Sequence, residues 1–268
     1  MKRFLIREIR AKKGISMIEL NNLTKTYKGL RAVDKINLSV EKGRLFGFLG
    51  PNGAGKTTTI KMMAGVLVPT EGKIVIDGMD LAEEPASVKQ VVGFIPDRPF
   101  IYDKLTGIEF LNFVSALYRM DGGEVLTKRI LELLELFDLF HWKDELVESY
   151  SHGMKQRLVM CSALVHEPKV LIVDEPMVGL DPKGARLVKD TFRGEAEKGT
   201  TIFMSTHSME VAEEVCDEIA IIQAGRIIAQ GEPEALMRQA GVNGNLEQIF
   251  LKLTEEKGLA HDKPLSSS

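Results

Sequence analysis

The stretch Gly50-Pro51-Asn52-Gly53-Ala54-Gly55-Lys56-Thr57 constrains this chain more than any other part of it. It fits G-x-x-x-x-G-K-[ST], with the apolar run Leu45 to Leu49 before it and a helix-like stretch, Thr57 to Val66, after it. Glycines let backbone N–H groups converge on phosphate oxygens, because no Cβ stands in the way. The following helix turns its positive end toward the same anion. Lys56 adds a mobile charge for β- and γ-phosphates, and the Thr57 hydroxyl suits Mg²⁺. The loop, with Thr58 after it, supplies the first candidate nucleotide-binding residues.

A second motif matches the first. Val170 to Val173 reads as a buried strand that ends in Asp174-Glu175-Pro176. Such a strand delivers its last residues to the carboxyl edge of the sheet, where ligands bind in open α/β folds. Asp174 is the candidate Mg²⁺ ligand. Glu175 comes one residue later, so its side chain points elsewhere and is free to polarise a water.

The remaining pattern is consistent with these two. Ile18, Leu20 and Leu23 alternate with polar residues, and Val33 to Val40 repeats the alternation. Further strand-like runs are Lys73 to Ile76, Thr201 to Met204 and Ile219 to Ile222. Residues 100 to 150 read as helical without an intervening strand, and Thr106 and Glu109 have capping-box spacing. A parallel sheet with helices on both faces is the economical architecture. The chain is 268 residues long and 44% hydrophobic, enough for one large domain with an inserted subdomain.

Composition excludes some functions. A net charge of −3 gives no global pull onto nucleic acid. No apolar run reaches the length of a membrane span, so any membrane part belongs to another chain. Cys161 and Cys216 have no metal spacing and read as buried thiols of a reducing compartment. Before Met17 lie six basic residues, against Glu8 alone, and Phe4-Leu5-Ile6. This is either a short amphipathic arm for acidic lipid or a leader without a role.

Three further motifs identify which kind of phosphate-loop protein the chain resembles. Ser149-Tyr150-Ser151-His152-Gly153-Met154-Lys155-Gln156 precedes a helix, with Ser151 at its N-cap. It resembles the signature of the ABC family, commonly LSGGQ, with Tyr150, His152 and Met154 as departures. Gly179-Leu180-Asp181 resembles the family's D-loop. Ser205-Thr206-His207 resembles its switch histidine, and Tyr27 the aromatic that stacks on adenine. The family usually has Gln in the loop that joins the core to the helical insertion, whereas here the run Val92 to Pro96 is followed by Asp97.

The resemblance implies a P-loop NTPase (RecA-like) α/β core with a small antiparallel β subdomain and an inserted α-helical subdomain. It places the ATPase domain at 17–230, the helical insertion at about 98–154, a basic extension at 1–16, and a helical segment with a mobile tail at 231–268. It implies ATP and Mg²⁺ as cofactors, the metal held by Thr57, Asp174 and Asp97. Glu175, His207 and Lys56 become the catalytic candidates. Ser151 and Gly153 become nucleotide contacts made by the signature helix of a second subunit, in a homodimer or heterodimer, and Asp181 a further nucleotide-binding candidate. The expected partner is an integral membrane permease, the expected place of this chain is peripheral, at the cytoplasmic face of the inner (plasma) membrane, and the form SxGMKQR resembles bacterial exporters. A soluble ABC ATPase without transport, or an ATP-gated regulator, remains the alternative. Tyr27 has an alternative as a half-buried strand residue, His207 as a core histidine, and Asp97 as a turn cap before Arg98.

Overall fold

The computed structural model of the chain describes residues 15–98, 100–240, 246–248 and 250. The basic stretch before Ile15, and most of the expected tail after Ala240, lie outside the described residues.

The nucleotide-loop strand β3 (Leu45–Leu49) sits in the middle of a six-stranded sheet. The other members are β6 (Val92–Ile95), β7 (Val170–Asp174), β8 (Thr201–Thr206), β9 (Glu218–Gln223) and β10 (Arg226–Gly231), in the order β10-β9-β3-β8-β7-β6. Strands β9, β3, β8, β7 and β6 run parallel, while β10 is the antiparallel edge. A smaller antiparallel sheet contains β2 (Leu30–Glu41), β1 (Ser16–Tyr27), β4 (Glu71–Ile76) and β5 (Met79–Asp80), in that order.

Successive residues of a strand face opposite sides, and the core divides accordingly. Phe46, Phe48, Ile172 and Phe203 join one apolar cluster with Ile18 and Leu20 of the small sheet and Ile60 of the helix after the phosphate loop, α1 (Lys56–Met63). Leu45, Leu171, Val173 and Met204 join the other, under helices packed on the far side. Phe46 stacks on Phe203 with centroids 5.5 Å apart, which ties β3 to its neighbour. Because both faces are covered, the parallel strands read as unbroken apolar runs. One face carries the small antiparallel sheet as well as helices, so it is not covered by helices alone.

Helix α2 (Pro85–Val91) leads into β6. Between β6 and β7 come α3 (Gly107–Leu117), α4 (Glu124–Leu136) and α5 (His152–Leu164). Thr106 caps α3: its hydroxyl accepts from Glu109 N at 3.3 Å, and Glu109 returns a contact to Thr106 N at 2.8 Å. Helices α6 (Pro182–Glu197), α7 (Met209–Val215) and α8 (Pro233–Ala240) follow. The sequence expectation of a helix to Val66 overran, because the chain turns at Gly65, with φ 66, a conformation that ends helices.

Candidate functional site

The carboxyl edge of the sheet brings β3, β7 and β8 to one place, and the phosphate loop closes over it. Gly55 is the N-cap of α1 with φ 111, and no side chain caps that helix. Ser151, Asp181 and Ser208 cap α5, α6 and α7 with their own oxygens. The first turn of α1 therefore presents its backbone N–H groups to whatever anion occupies the loop. A Cβ at Gly55 would lie 2.6 Å from Ala32 O, and one at Gly50 would lie 2.4 Å from Ile222 O. The glycines are thus required by close backbone approach from β2 and β9 as well as by the turn itself.

Lys56 is buried, and its Nζ donates to Gly50 O at 2.7 Å and Pro51 O at 3.4 Å. The same Nζ is 3.5 Å from Glu175 Oε1. A lysine so deep is stable only with oxygen partners around its ammonium group. The loop carbonyls and Glu175 provide them.

Asp174 ends β7 and is 2% exposed. Burial pushes its carboxyl above the usual range, while hydrogen bonds from Ser205 and Thr57 pull it back and the charges of Asp97 and Glu175 raise it. The Ser205 hydroxyl donates to Asp174 Oδ1 at 2.5 Å. Glu175 adopts φ 51, a left-handed conformation that is uncommon outside glycine. Its N–H donates to Ser205 O at 3.2 Å, which holds that turn against β8. Its Oε2 lies 2.9 Å from His207 Nδ1 and accepts from His207 N at 3.3 Å.

A cleft of about 350 Å³ is lined by Pro51, Asn52, Gly53, Gly55, Lys56, Thr57 and Thr58 of the loop together with Asp97, Glu175 and His207. Ala32 and Val178 also line it, and the sequence reading missed both. It also gave no role to Ser205, the hydroxyl that fixes Asp174; a hydroxyl ending the apolar run of β8 was its only signal. Gly50 and Ala54 belong to the loop without lining the cleft. A wider depression of about 590 Å³ along α4, lined by Glu124, Lys128, Glu132 and Glu135, is a solvated helix face. We assign the chemistry to the smaller cleft, where oppositely charged groups converge.

Four expected nucleotide contacts lie elsewhere. Tyr27 ends β1, is 45% exposed, and has the Lys25 ammonium 5.4 Å from its ring centroid. Ser151 accepts from Met154 N at 3.3 Å as the N-cap of α5. Gly153 meets only Leu180 on its open side, at 3.9 Å from a built Cβ. Asp181 accepts from Gly184 N at 2.9 Å as the N-cap of α6.

Among the described residues no helix is long and apolar enough to cross a membrane. Residues 33–178 match the family described as ABC transporter. The chain is 36% identical over 252 residues to "Probable multidrug ABC transporter ATP-binding protein YbhF" of Escherichia coli (strain K12). That match takes in 92% of this chain but 43% of YbhF, so the chain spans less than half the length of this relative. A solved ATP binding subunit of an ABC transporter has a TM-score of 0.84 at 32% identity, covering 89% of this chain and 100% of that one. The ATP-binding cassette MJ0796, in a dimeric post-hydrolysis state bound to ADP and Pi, has a TM-score of 0.74 at 26% identity, covering 81% of this chain and 98% of that one. On the family match and the full-length likeness to a solved subunit, the chain belongs to the ABC transporter family as an ATP-binding subunit.

Proposed function

We propose that the chain hydrolyses ATP in the loop cleft and that two such subunits, closing on ATP, drive export through a separate membrane-spanning permease. The observation that carries this reading is Glu175, whose two carboxylate oxygens stand against Lys56 and His207 inside the phosphate-loop cleft. A binding module has no need of a carboxylate held beside the phosphate-binding lysine.

The roles follow from the chemistry of each group. The loop amides and Lys56 bind and orient the β- and γ-phosphates. Glu175 orients the attacking water and accepts its proton. His207 holds Glu175 and faces the γ-phosphate. Phosphoryl transfer asks mainly for positioning and for charge stabilisation, which this set supplies. Tyr27, partly exposed at the end of β1, offers a ring for adenine.

Mg²⁺ fits the donors. Thr57, Asp174 and Asp97 present hydroxyl and carboxylate oxygens, the hard ligands this ion takes together with substrate phosphates. Among the described residues no three His, Cys, Asp or Glu side chains form a metal-holding group by themselves. When bound, Mg²⁺ would neutralise charge on the β- and γ-phosphates.

Ser151, Gly153 and Asp181 do not line the cleft of their own chain. Contacts from them to the γ-phosphate therefore require a second subunit, and the MJ0796 cassette is described as a dimer with ADP and Pi. The printed name of YbhF, a multidrug transporter ATP-binding protein, supports export as the process served. Attachment to the permease would put the chain at the cytoplasmic face of the plasma membrane. A net charge of −3 gives no support to nucleic acid as a partner.

Phosphate release from Mg-ATP by the purified chain, with Lys56→Ala as control, tests the ATPase assignment. Turnover that survives Lys56→Ala would remove it. Export is tested by reconstituting the chain with its co-purifying permease in vesicles. An absence of ATP-dependent transport, with ATPase intact, would leave the ATPase and remove the exporter.

A further inference from the structure

Close to the turn that hydrogen-bonds the phosphate loop lies a buried carboxylate that the chemistry above does not use. Asp34, on β2, has a side chain 8% exposed and is bound by two arginines. Arg226 Nε donates to Oδ2 at 2.7 Å, with its NH2 2.5 Å from the same oxygen. Arg31 NH1 donates to Oδ1 at 3.0 Å. The guanidinium of Arg226, first of these, holds the Asp34 carboxyl below the usual range.

The backbone at these residues leads straight to the loop. Asp34 N–H donates to Gly225 O at 2.9 Å, Gly225 N–H donates to Ala54 O at 2.9 Å, and Ala54 N–H donates to Pro51 O at 3.1 Å. Gly225 belongs to the Ala224-Gly225 turn between β9 and β10, where both residues have positive φ. That turn is pressed against β2: a Cβ on Gly225 would lie 2.9 Å from Ala32 O. Ala32 in turn lines the cleft, and its carbonyl is the atom that a Cβ on Gly55 would strike. Ala32 is thus held between the turn and the loop, and Arg226, the residue immediately after the turn, is held by Asp34.

We infer that Asp34 is a positioning residue for the phosphate loop: paired with Arg226 it fixes the Ala224-Gly225 turn, which fixes the Ala54 peptide and thereby sets the affinity for the triphosphate. The inference rests on the assignment of the loop to ATP phosphates. Its physical basis is preorganisation. Backbone amides bind an anion well only if they already point at it, and every degree of freedom left in the loop is lost on binding. Arg226 is 70% exposed, while the Asp34 carboxylate that it holds is 8% exposed. Its two contacts with a buried carboxylate make sense as a device that fixes geometry. Arg31, on the strand that pairs with the end of β1 at Tyr27, ties that end of the small sheet to the same carboxylate.

The test compares the full chain with Asp34→Asn, Arg226→Gln, Arg226→Lys and the double variant Asp34→Asn/Arg226→Gln. Titration calorimetry with Mg-ATP and with inorganic triphosphate gives Kd, and steady-state hydrolysis gives KM and kcat. Each of Asp34→Asn and Arg226→Gln is expected to raise Kd about tenfold, the scale of coupling between residues in contact. The rise should be equal for ATP and triphosphate, because the loop and not the adenine site is loosened. KM should rise with Kd while kcat at saturation stays within about twofold, since Lys56, Glu175 and His207 are untouched. The double variant should bind no worse than the weaker single, and Arg226→Lys, which keeps a charge at an exposed position, should recover part of the affinity. A lowered melting temperature with unchanged Kd would make the cluster structural only and overturn the inference. So would a fall in kcat at unchanged KM, or a loss for ATP that triphosphate does not share. If the unaltered chain binds no ATP, it is the assignment of the loop that has failed.

Discussion

His207 Nδ1 and Glu175 Oε2 stand 2.9 Å apart, and the main-chain N–H of His207 donates to the same oxygen at 3.3 Å. The other oxygen of Glu175 faces the Lys56 ammonium at 3.5 Å. The left-handed turn at Glu175, with φ 51, aims the carboxylate between these two groups while Asp174 remains in line with β7. Adjacent acids thereby acquire different surroundings: Asp174 is bonded to hydroxyls of Ser205 and Thr57, and Glu175 stands among nitrogen donors.

Glu175→Gln keeps the size of the side chain and its hydrogen bond from His207 N, but the amide cannot accept a proton. Turnover is expected to fall by about 10² or more, the scale of a lost general base, with ATP binding retained. Hydrolysis no longer ends the closed state, so the variant should elute as a dimer in Mg-ATP on size-exclusion chromatography. A monomeric variant with full turnover would show that Glu175 is not the base.

Tyr27→Ala is expected to weaken ATP binding by about 1–2 kcal/mol, the scale of one aromatic–base stack. Turnover at saturating ATP should stay unchanged, because the ring is not among the residues that line the loop cleft. Inorganic triphosphate is the control. An equal loss for ATP and triphosphate would place the ring away from adenine.

How much of this was legible in the sequence depended on whether the chemistry is local. Gly50 to Thr57 is one unbroken stretch because phosphate binding needs successive backbone amides, so the motif is readable without a fold. Asp174 and Glu175 were readable because an apolar run ends at them. The residues that complete the site come from neighbouring strands and leave no local signature: Ser205 reaches Asp174 across the β7–β8 pairing, and Ala32 reaches Gly55 from the small sheet. Strand β6 has four residues, one of them Gly93, whose Cβ would stand 2.4 Å from Ala163 O, so neither length nor composition announces it. Strand β10 is an edge strand without buried alternation, and it supplies Arg226. Asp181 fits a D-loop pattern, yet its carboxylate is also the N-cap of α6. One residue type serves both purposes, and sequence alone does not separate them.

His166 gives the fold a pH dependence of known sign. Its ring stacks on Tyr118 at 3.6 Å between centroids, and its Nε2 lies 3.2 Å from Val92 O, the same carbonyl that accepts from the Tyr118 hydroxyl at 3.2 Å. Nδ1 is buried without a partner, and burial lowers the pKa to about 4. The unfolded chain, with an imidazole near pKa 6.5, therefore binds the proton more readily than the folded one between those values. Stability from this group is present in full above about pH 6.5 and declines as pH falls toward 4, by at most about 1.4 kcal/mol per unit. Urea unfolding of the chain and of His166→Gln at pH 7, 6 and 5 isolates the effect. The difference between the two should narrow with acidification, and parallel profiles would show that His166 does not carry the proton linkage.

Asp97 stands where the family pattern has glutamine, and it lines the cleft with Lys56, Thr57, Glu175 and His207. Its charge is one of the causes that raise the Asp174 carboxyl, after burial. A third carboxylate near the phosphates is tolerable when a cation lies between them, and repulsive otherwise. Asp97→Ala should therefore strengthen ATP binding in EDTA, by about two- to fivefold for one screened charge. In Mg²⁺ the gain should vanish or reverse, because a ligand is lost together with the repulsion. Asp97 directly follows Ile95-Pro96, at the exit from β6 toward α3, so under the proposed function a change at this position is expected to be felt in the helical segment. Permease-stimulated hydrolysis should fall further than basal hydrolysis in Mg²⁺, which loses only the ligand. The alternative, a turn cap before Arg98, requires a loss of about 1 kcal/mol in stability with stimulation intact. Melting temperature, binding with and without Mg²⁺, and stimulated turnover, measured on one preparation, separate the two. A variant that melts early, binds ATP alike in EDTA and Mg²⁺, and responds fully to the permease would assign Asp97 to the turn.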